Sequence, residues 1–400
     1  MRSNLQSNPE FIEMQKTILA IDASNLLDGG GKTHLKEILK IFNNREDINC
    51  KVLIGSNNSL NTREYKNIEF INIRQFDENI LKRHYWHLFH SNRYLKSINT
   101  DILFIPGGIY IGHFKPFVTM SRNMLIFERN ERARYGFSKT RLRLKLLETI
   151  SAFSFKRAQG IIFISNFAKS YINNVLELKA PQTIIHHGVS KIFNSPASIQ
   201  KNINTYSIKN PFKFLYVSII DLYKHQWNVI KAIDQLRKKG YPITIDLVGP
   251  AYKPALKKYN EALESIENHE QFINYQGKKS YNKLADTYSR SNAIIFASTC
   301  ENMPNILLEG MSSGKPIACS DKQPMPEFLK EGGYYFDALD VNSISDSLEL
   351  LLLNENLRTN NIAVSKRIAS EFNWEKCADE TINFLLFSVN NYNRLKITTI

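Results

Sequence analysis

Short apolar, β-branched runs recur along the chain, and each is followed by a turn and a longer stretch of mixed character. TILAIDA (17–23) is the first, and after it Leu35, Ile38, Leu39 and Phe42 return at helical spacing. Further strands are predicted at KVLIG (51–55), FINI (70–73), DILFIP (101–106), PFVTMS (116–121), QGIIFIS (159–165) and TIIHHGV (183–189). Residues 195–210 are polar and lack hydrophobic periodicity. A second series then begins with FKFLYVS (212–218), ITIDLVG (243–249), FINYQG (272–277), AIIFA (293–297) and PIACS (316–320). Strands alternating with helices predict an α/β protein with parallel sheets. The polar stretch splits it into a unit at 1–194, a connection at 195–210 and a unit at 211–378, followed by amphipathic sequence at 379–400.

Chemistry concentrates in residues 299–321, TCENMPNILLEGMSSGKPIACSD, where Glu301 and Glu309 stand eight positions apart. Asn302 is placed to cap a helix, and Pro304 fits its first turn, where a missing N–H costs nothing. The helix is expected over 305–311, with Gly314 at its end and Pro316 barring continuation. Backbone N–H groups in the span Met303, Pro304, Asn305 and Ile306 then lie between the two acids, at the positive end of the helix. Such a turn at a strand's carboxyl end suits a ligand with a diphosphate for the N–H groups and hydroxyls for the carboxylates, as in a nucleotide sugar. Spacing alone also allows a capped helix with a solvated glutamate.

With the flanking YSRSNAIIFAS and PMPEFL, this stretch resembles the signature of retaining nucleotide-sugar glycosyltransferases of family 4, which have the GT-B fold of two Rossmann-like domains facing across a cleft. Both glutamates are in register with that family's E-x7-E, although Asn302, Met303 and Pro304 replace the usual Gly-Phe-Gly. The resemblance implies an acceptor-side first domain, a donor-binding second domain and a last helix that crosses back onto the first. It makes Glu309 the ribose ligand and places Glu301 beside the transferring sugar. Lys224 falls on the donor diphosphate, whereas Ile219 replaces the Arg that usually accompanies it. Gly29, Gly30, Gly31 and Lys32 match a loop that closes over the donor phosphates. Gly249 turns at a strand's end beside the donor, and Gly277 with Lys278 falls near the base. The family's acceptor-side His is absent, and Arg122 and Asn123 occupy that neighbourhood. The segment from SRNMLIFE to RYGFSKTRLRLKLLE is similar to a bacterial subgroup that builds cell-surface polysaccharide, such as lipopolysaccharide O-antigen or capsule. Attack from the same face as the leaving group is implied.

GGGKT also resembles the end of a triphosphatase phosphate loop, but Leu26 stands where that motif needs Gly. No D-x-D triplet signals a metal clamp. No metal or cofactor beyond the donor is expected, and adjacent His186 and His187 point to opposite faces. His84, His87, His90 and His113 read as surface or packing residues. The formal charge of +14 asks for an anionic partner. Basic residues crowd between Arg122 and Arg157 beside Leu142, Leu144, Leu146 and Leu147, a composition that fits either an anionic membrane surface or a basic acceptor groove. The acceptor is expected to be a glycan or lipid-linked glycan. No RNA-recognition signature occurs, and nucleic acid is not expected as a partner. Cys50, Cys300, Cys319 and Cys377 form no C-x-x-C pair, no run spans a bilayer, and the start lacks a signal-peptide core. These features point to a cytoplasmic protein, on the inner face of the membrane if it is peripheral. Two rival functions are a GT-B epimerase acting on a nucleotide sugar and a non-enzymatic basic protein that binds nucleic acid.

Overall fold

The computed structural model of the protein describes residues 16–26, 29–57 and 60–398. Its strands form two parallel sheets. The first has seven strands, β1 (Thr17–Asp22), β2 (Ile48–Ile54), β3 (Ile68–Asn72), β4 (Ile102–Ile105), β5 (Phe117–Met120), β6 (Gly160–Phe163) and β7 (Gln182–Ile184), ordered β3-β2-β1-β4-β5-β6-β7. The second has six, β8 (Phe212–Val217), β9 (Ile243–Val248), β10 (Ile273–Tyr275), β11 (Ala293–Phe296), β12 (Ile317–Ser320) and β13 (Tyr334–Phe336), ordered β10-β9-β8-β11-β12-β13. Parallel sheets need helices on both faces, so their strands cannot alternate in polarity. All four residues of β4, β5, β6, β11 and β12 are accordingly buried. The expected fold class, two doubly wound parallel-sheet units, is the one observed.

Strand order reverses between β1 and β4 in the first sheet and between β8 and β11 in the second, where Ala293 lies opposite Phe214. At such a point the two outgoing loops diverge to opposite faces and leave a crevice at the strands' carboxyl ends. The loop after β1 leads into the helix Gly29–Phe42, and the loop after β11 into the helix Asn305–Ser312. These two crevices are the places where a ligand can meet backbone and side chains together.

The connection at 195–210 is fastened to the second unit. The N–H and hydroxyl of Ser198 both donate to the Gly314 carbonyl, at 2.9 and 2.8 Å. Gly314 is left-handed (φ +69°), and a Cβ there would strike the Pro196 carbonyl, so only glycine fits this approach. The buried Arg358 guanidinium donates to Gln200 Oε1 (2.8 Å) and to the Lys201 carbonyl (2.6 Å). The last helix runs from Trp374 to Thr398, beginning before residue 379, and it lies against the Gly29–Phe42 helix and against β4 and β6. A Cβ on Gly160 would come within 2.7 Å of Ser388 Oγ on that helix, so β6 admits the helix only because glycine stands there. A buried apolar cluster therefore runs from Leu19 and Leu35 through Trp374 and Ile382 to Phe214 and Ile294. The β7 strand is shorter than TIIHHGV suggested, because His186 and His187 leave it to pack on opposite sides.

Candidate functional site

In the second sheet, β8 and β11 deliver two charged side chains to one point. Lys224 follows β8, and its ammonium pairs with the Glu301 carboxylate from the loop after β11. The lysine side chain is 5% exposed and that of the glutamate 16%, so neither charge is offset mainly by water. The ammonium also stands 5.0 Å from the Tyr223 ring and 5.1 Å from the Phe296 ring, within cation–π range. Removing one partner of such a pair strands the other, which typically costs about 3–5 kcal/mol. Sequence position alone put Lys224 and Glu301 in separate segments, and the fold brings them into contact.

The helix at Asn305–Ser312 covers the expected span, but its cap is not the expected one. Pro304, not Asn302, occupies the N-cap position, and no side chain caps the helix. The Asn305 N–H turns back to the Met303 carbonyl (3.0 Å) and Leu308 N–H bonds the Pro304 carbonyl (3.1 Å). Within the first turn of the helix, the Ile306 and Leu307 N–H groups have no backbone acceptor among the described residues and are free to face an anion. Asn302 instead reaches the other unit. Its Nδ2 donates to Ser121 Oγ and its Oδ1 accepts from Ser165 Oγ, both at 3.3 Å. Met303 Sδ accepts from the His187 N–H (3.1 Å). Glu309 lies within the helix and is buried, and burial pushes its carboxyl up to about 8 while the Tyr281 and Tyr288 hydroxyls pull it down. Its Oε2 is buried with no hydrogen-bond partner.

The glycine triplet is also not the loop that was expected. Gly29, Gly30 and Gly31 form the first turn of the helix Gly29–Phe42, and the two residues before them lie outside the described residues. Lys32 is half-buried in the same turn. A Cβ on Gly30 would lie 3.1 Å from Asn305 Nδ2, and one on Gly31 would lie 3.3 Å from Arg122 Nη1. The glycine turn, the start of the 305–312 helix and the Arg122 guanidinium therefore meet across the two units. Part of the Arg122 side chain reaches solvent, yet Nη1 is buried without a partner, and burial lowers the guanidinium to about 10. Asn305 Oδ1 is likewise buried and unpartnered. Arg122 thus belongs with the glycine turn. Asn123 is exposed, and its Oδ1 accepts from the Leu125 N–H (3.0 Å), which commits it to a local turn.

Gly249 marks a close approach, since a Cβ there would strike the Ser218 carbonyl at the end of β8, and its N–H donates to the Gly277 carbonyl (2.9 Å). Gly277 is left-handed (φ +66°) with open space beside it, and Lys278 is exposed. The carboxyl ends of β9 and β10 are thereby held together beside β8.

Two histidines that the sequence did not single out as functional stand behind Arg122. His34, on the glycine helix, stacks on His187 at 4.6 Å, and His187 stacks on Trp374 at 5.6 Å. Both rings are fully buried, their nitrogens lack hydrogen bonds, and burial above all, with the charge of Arg122 adding to it, holds them well below the ordinary histidine range. They are neutral, and they add no charge beside Arg122. His34 recurs at helical spacing with Leu35 and Ile38, and this was the signal available for its burial. His87 is also buried, 3.4 Å from Asp22, and is a packing residue. No group of three metal-ligating side chains converges among the described residues.

The basic stretch is divided in use. Arg132 is buried, donating to the Ile126 carbonyl (2.6 Å) and Glu148 (2.5 Å), and Arg134 pairs with Glu131 (2.7 Å). Leu144 is buried, whereas Leu142, Leu146 and Phe153 form an exposed stripe on the helix Lys139–Arg157. No helix is long and apolar enough to cross a membrane among the described residues.

Comparison with known proteins fits this geometry. Residues 198–367 match the family model of glycosyl transferases group 1. The O-antigen chain mannosyltransferase B of Escherichia coli is 24% identical over 247 residues, covering 60% of this chain and 64% of that one. The chain spans about three fifths of the length of the curated relatives it matches. The Anabaena protein HepE, solved in complex with UDP, superposes with a TM-score of 0.63 at 17% identity, covering 96% of this chain and 100% of that one. Sucrose-phosphate synthase from Thermosynechococcus elongatus does so with a TM-score of 0.71 at 14% identity, with the same coverage. The two facing sheets thus have the GT-B fold, and the segment that carries Lys224, Glu301 and Glu309 lies within the match to the glycosyl transferases group 1 model.

Proposed function

We propose that the protein transfers a sugar from a nucleoside-diphosphate donor to a hydroxyl of a glycan or lipid-linked glycan, with retention of configuration, in bacterial surface-polysaccharide synthesis. The observation that carries this reading is the buried, unpartnered Arg122 Nη1 facing the glycine turn and the start of the 305–312 helix. A cation left unpaired beside two helix starts is costly unless an anion joins it. A diphosphate has the charge and the oxygens to do so.

In this reading Arg122, Lys224 and the N–H groups of Ile306 and Leu307 stabilise the leaving diphosphate, and the glycine turn with Lys32 lets the chain approach it. These cations and dipoles take the part that a metal plays elsewhere, and turnover is expected to persist in chelator. Glu309 offers its unpartnered Oε2 to a ribose hydroxyl, and Gly249, Gly277 and Lys278 border the base. Glu301, released from Lys224 as the lysine turns to phosphate, supports the positive charge that develops on the sugar. Attack from the leaving-group face would require no protein nucleophile. The match to a mannosyltransferase and the UDP held by HepE make GDP-mannose and UDP-glucose the first donors to test.

The exposed stripe of Leu142, Leu146 and Phe153 lies among Arg141, Arg143, Lys145 and Lys156, and the helix Ile80–Phe89 exposes Leu81, Tyr85 and Phe89. Apolar side chains rimmed by cations fit the anionic inner leaflet, where a lipid-linked acceptor would be presented. Release of nucleoside diphosphate, followed with and without a soluble glycoside acceptor, tests the central reading. Acceptor-dependent release from one of the two donors supports it, and oligonucleotide binding with no turnover of either donor would refute it.

A further inference from the structure

The loop after β5 ends at Glu128 and the short helix Arg129–Ala133, and it lies over the carboxyl ends of β8 and β11. Thr299 Oγ1 donates to Glu131 Oε2 (2.8 Å), Cys300 Sγ donates to Glu128 Oε1 (3.2 Å), and the Tyr135 hydroxyl donates to Asp221 Oδ1 (2.8 Å). Glu128 and Glu131 from the first unit therefore face the segment of the second unit that carries Glu301. Their surroundings differ. Glu301 is bound to Lys224. Glu131 is gripped through both oxygens by Arg134, at 2.7 and 3.1 Å, in addition to Thr299. Glu128 accepts a hydrogen bond from a thiol, a weak donor that an alcohol readily outcompetes.

We propose that Glu128 is the acceptor-side carboxylate, receiving the attacking hydroxyl in place of the Cys300 thiol and taking its proton. The assignment rests on the glycosyl-transfer reading above. As the acceptor oxygen bonds to the anomeric carbon, the bond from that carbon to the diphosphate oxygen breaks. Its electron pair leaves on the diphosphate, and the hydroxyl proton ends on a Glu128 oxygen. Protonation equilibria agree with the geometry. The Glu128 carboxyl is raised to about 7, by burial above all and then by the charges of Glu131 and Glu301, against the pull of the Cys300 thiol. The Tyr171 hydroxyl, itself pushed up by burial and by Glu128, and the neighbouring Arg129 complete the ionisable groups around it. A base poised near the working pH is the one best able to accept a proton in a transition state. This residue would occupy the role for which the absent acceptor-side His left a gap in the sequence.

The test uses the full chain with GDP-mannose and UDP-glucose, and with octyl α-mannoside or water as acceptor. E128Q keeps an oxygen for the Cys300 thiol and should fold. It is expected to lower diphosphate release by about 10²–10⁴-fold, the usual span for a general base. Donor affinity by thermal shift should stay within about threefold, and the fall in wild-type rate below about pH 7 should vanish from the residual activity. C300A, which removes only the thiol contact, should retain transfer to within about tenfold. Wild-type turnover and pH profile in E128Q would overturn the assignment alone, as would a C300A loss equal to that of E128Q. Failure of the wild-type chain to turn over either donor would instead remove the glycosyl-transfer reading on which the assignment rests.

Discussion

The two switch points of this molecule solve the same physical problem in opposite ways. Between β8 and β11, Lys224 and Glu301 neutralise each other, so the crevice of the second sheet is electrostatically complete without a ligand. Across from it, Arg122 beside the glycine turn has a buried nitrogen with no partner. One crevice holds its charge in reserve and the other leaves its charge unsatisfied. A diphosphate arriving between them would satisfy Arg122 and draw Lys224 away from Glu301, so that binding itself would free the carboxylate for the sugar. The contacts that span the units, Asn302 with Ser121 and Ser165 and Thr299 with Glu131, hold the two crevices beside each other.

The largest effect is expected at the self-neutralised crevice. K224A should lower turnover by about 10²–10³-fold, since in the proposed reaction it removes a donor to the leaving group. It should also lower the melting temperature by stranding Glu301. The double variant K224M/E301Q separates these effects. Its melting temperature should recover while turnover stays low, whereas recovery of both would mean that the pair is structural only. At the unsatisfied crevice the sign on stability is reversed. R122M deletes a guanidinium whose buried Nη1 has no partner, so the melting temperature should hold or rise. Donor affinity should fall by about 10–100-fold, the range of a hydrogen bond to a charged group. Weaker melting with unchanged donor affinity would place Arg122 outside the donor site. A smaller effect is expected for G31A. Its Cβ would press on Leu26 Cδ2 at 3.0 Å as well as on Arg122, and a several-fold loss of donor affinity should result.

This asymmetry also explains what the sequence revealed. The second sheet's crevice is built from one contiguous stretch, 299–321, plus Lys224, so spacing and turn chemistry made most of it legible. Even there, Asn302 was misread as a helix cap. Its polar side chain suits a cap, but the partners that claimed it, Ser121 and Ser165, come from the other unit. The first sheet's crevice gathers the glycine turn, Arg122 and His34 with His187 and Trp374 from distant segments, and periodicity cannot report such a meeting. The triplet Gly29–Gly31 looked like a loop because glycine is a poor helix former. It is tolerated in a first turn, where a ligand or another side chain has to approach closely. Glu128 carried no motif at all, and its environment arises only when the two units face each other.

The smallest and most specific effect is expected at Glu309, which belongs to the self-neutralised unit yet lacks a cationic partner. Its carboxyl is raised to about 8 by burial, above an unfolded value near 4.5. The folded chain therefore holds the proton more tightly than the unfolded chain. Glu309 contributes stability that is fully present below about pH 4.5 and is lost as pH rises toward and through about 8. E309Q has no proton to lose, so the difference in melting temperature between E309Q and wild type should be near zero at pH 4.5. It should grow in favour of E309Q up to pH 8 and flatten beyond. A difference that does not change with pH would mean that Glu309 is ionised throughout, with a partner supplied. A saturating donor provides a second arm, because a ribose hydroxyl bonded to Oε2 should favour the carboxylate and shrink the pH-dependent gap. If the gap persists unchanged with donor bound, Glu309 does not hold the ribose, and the unfilled Oε2 is a feature of packing alone.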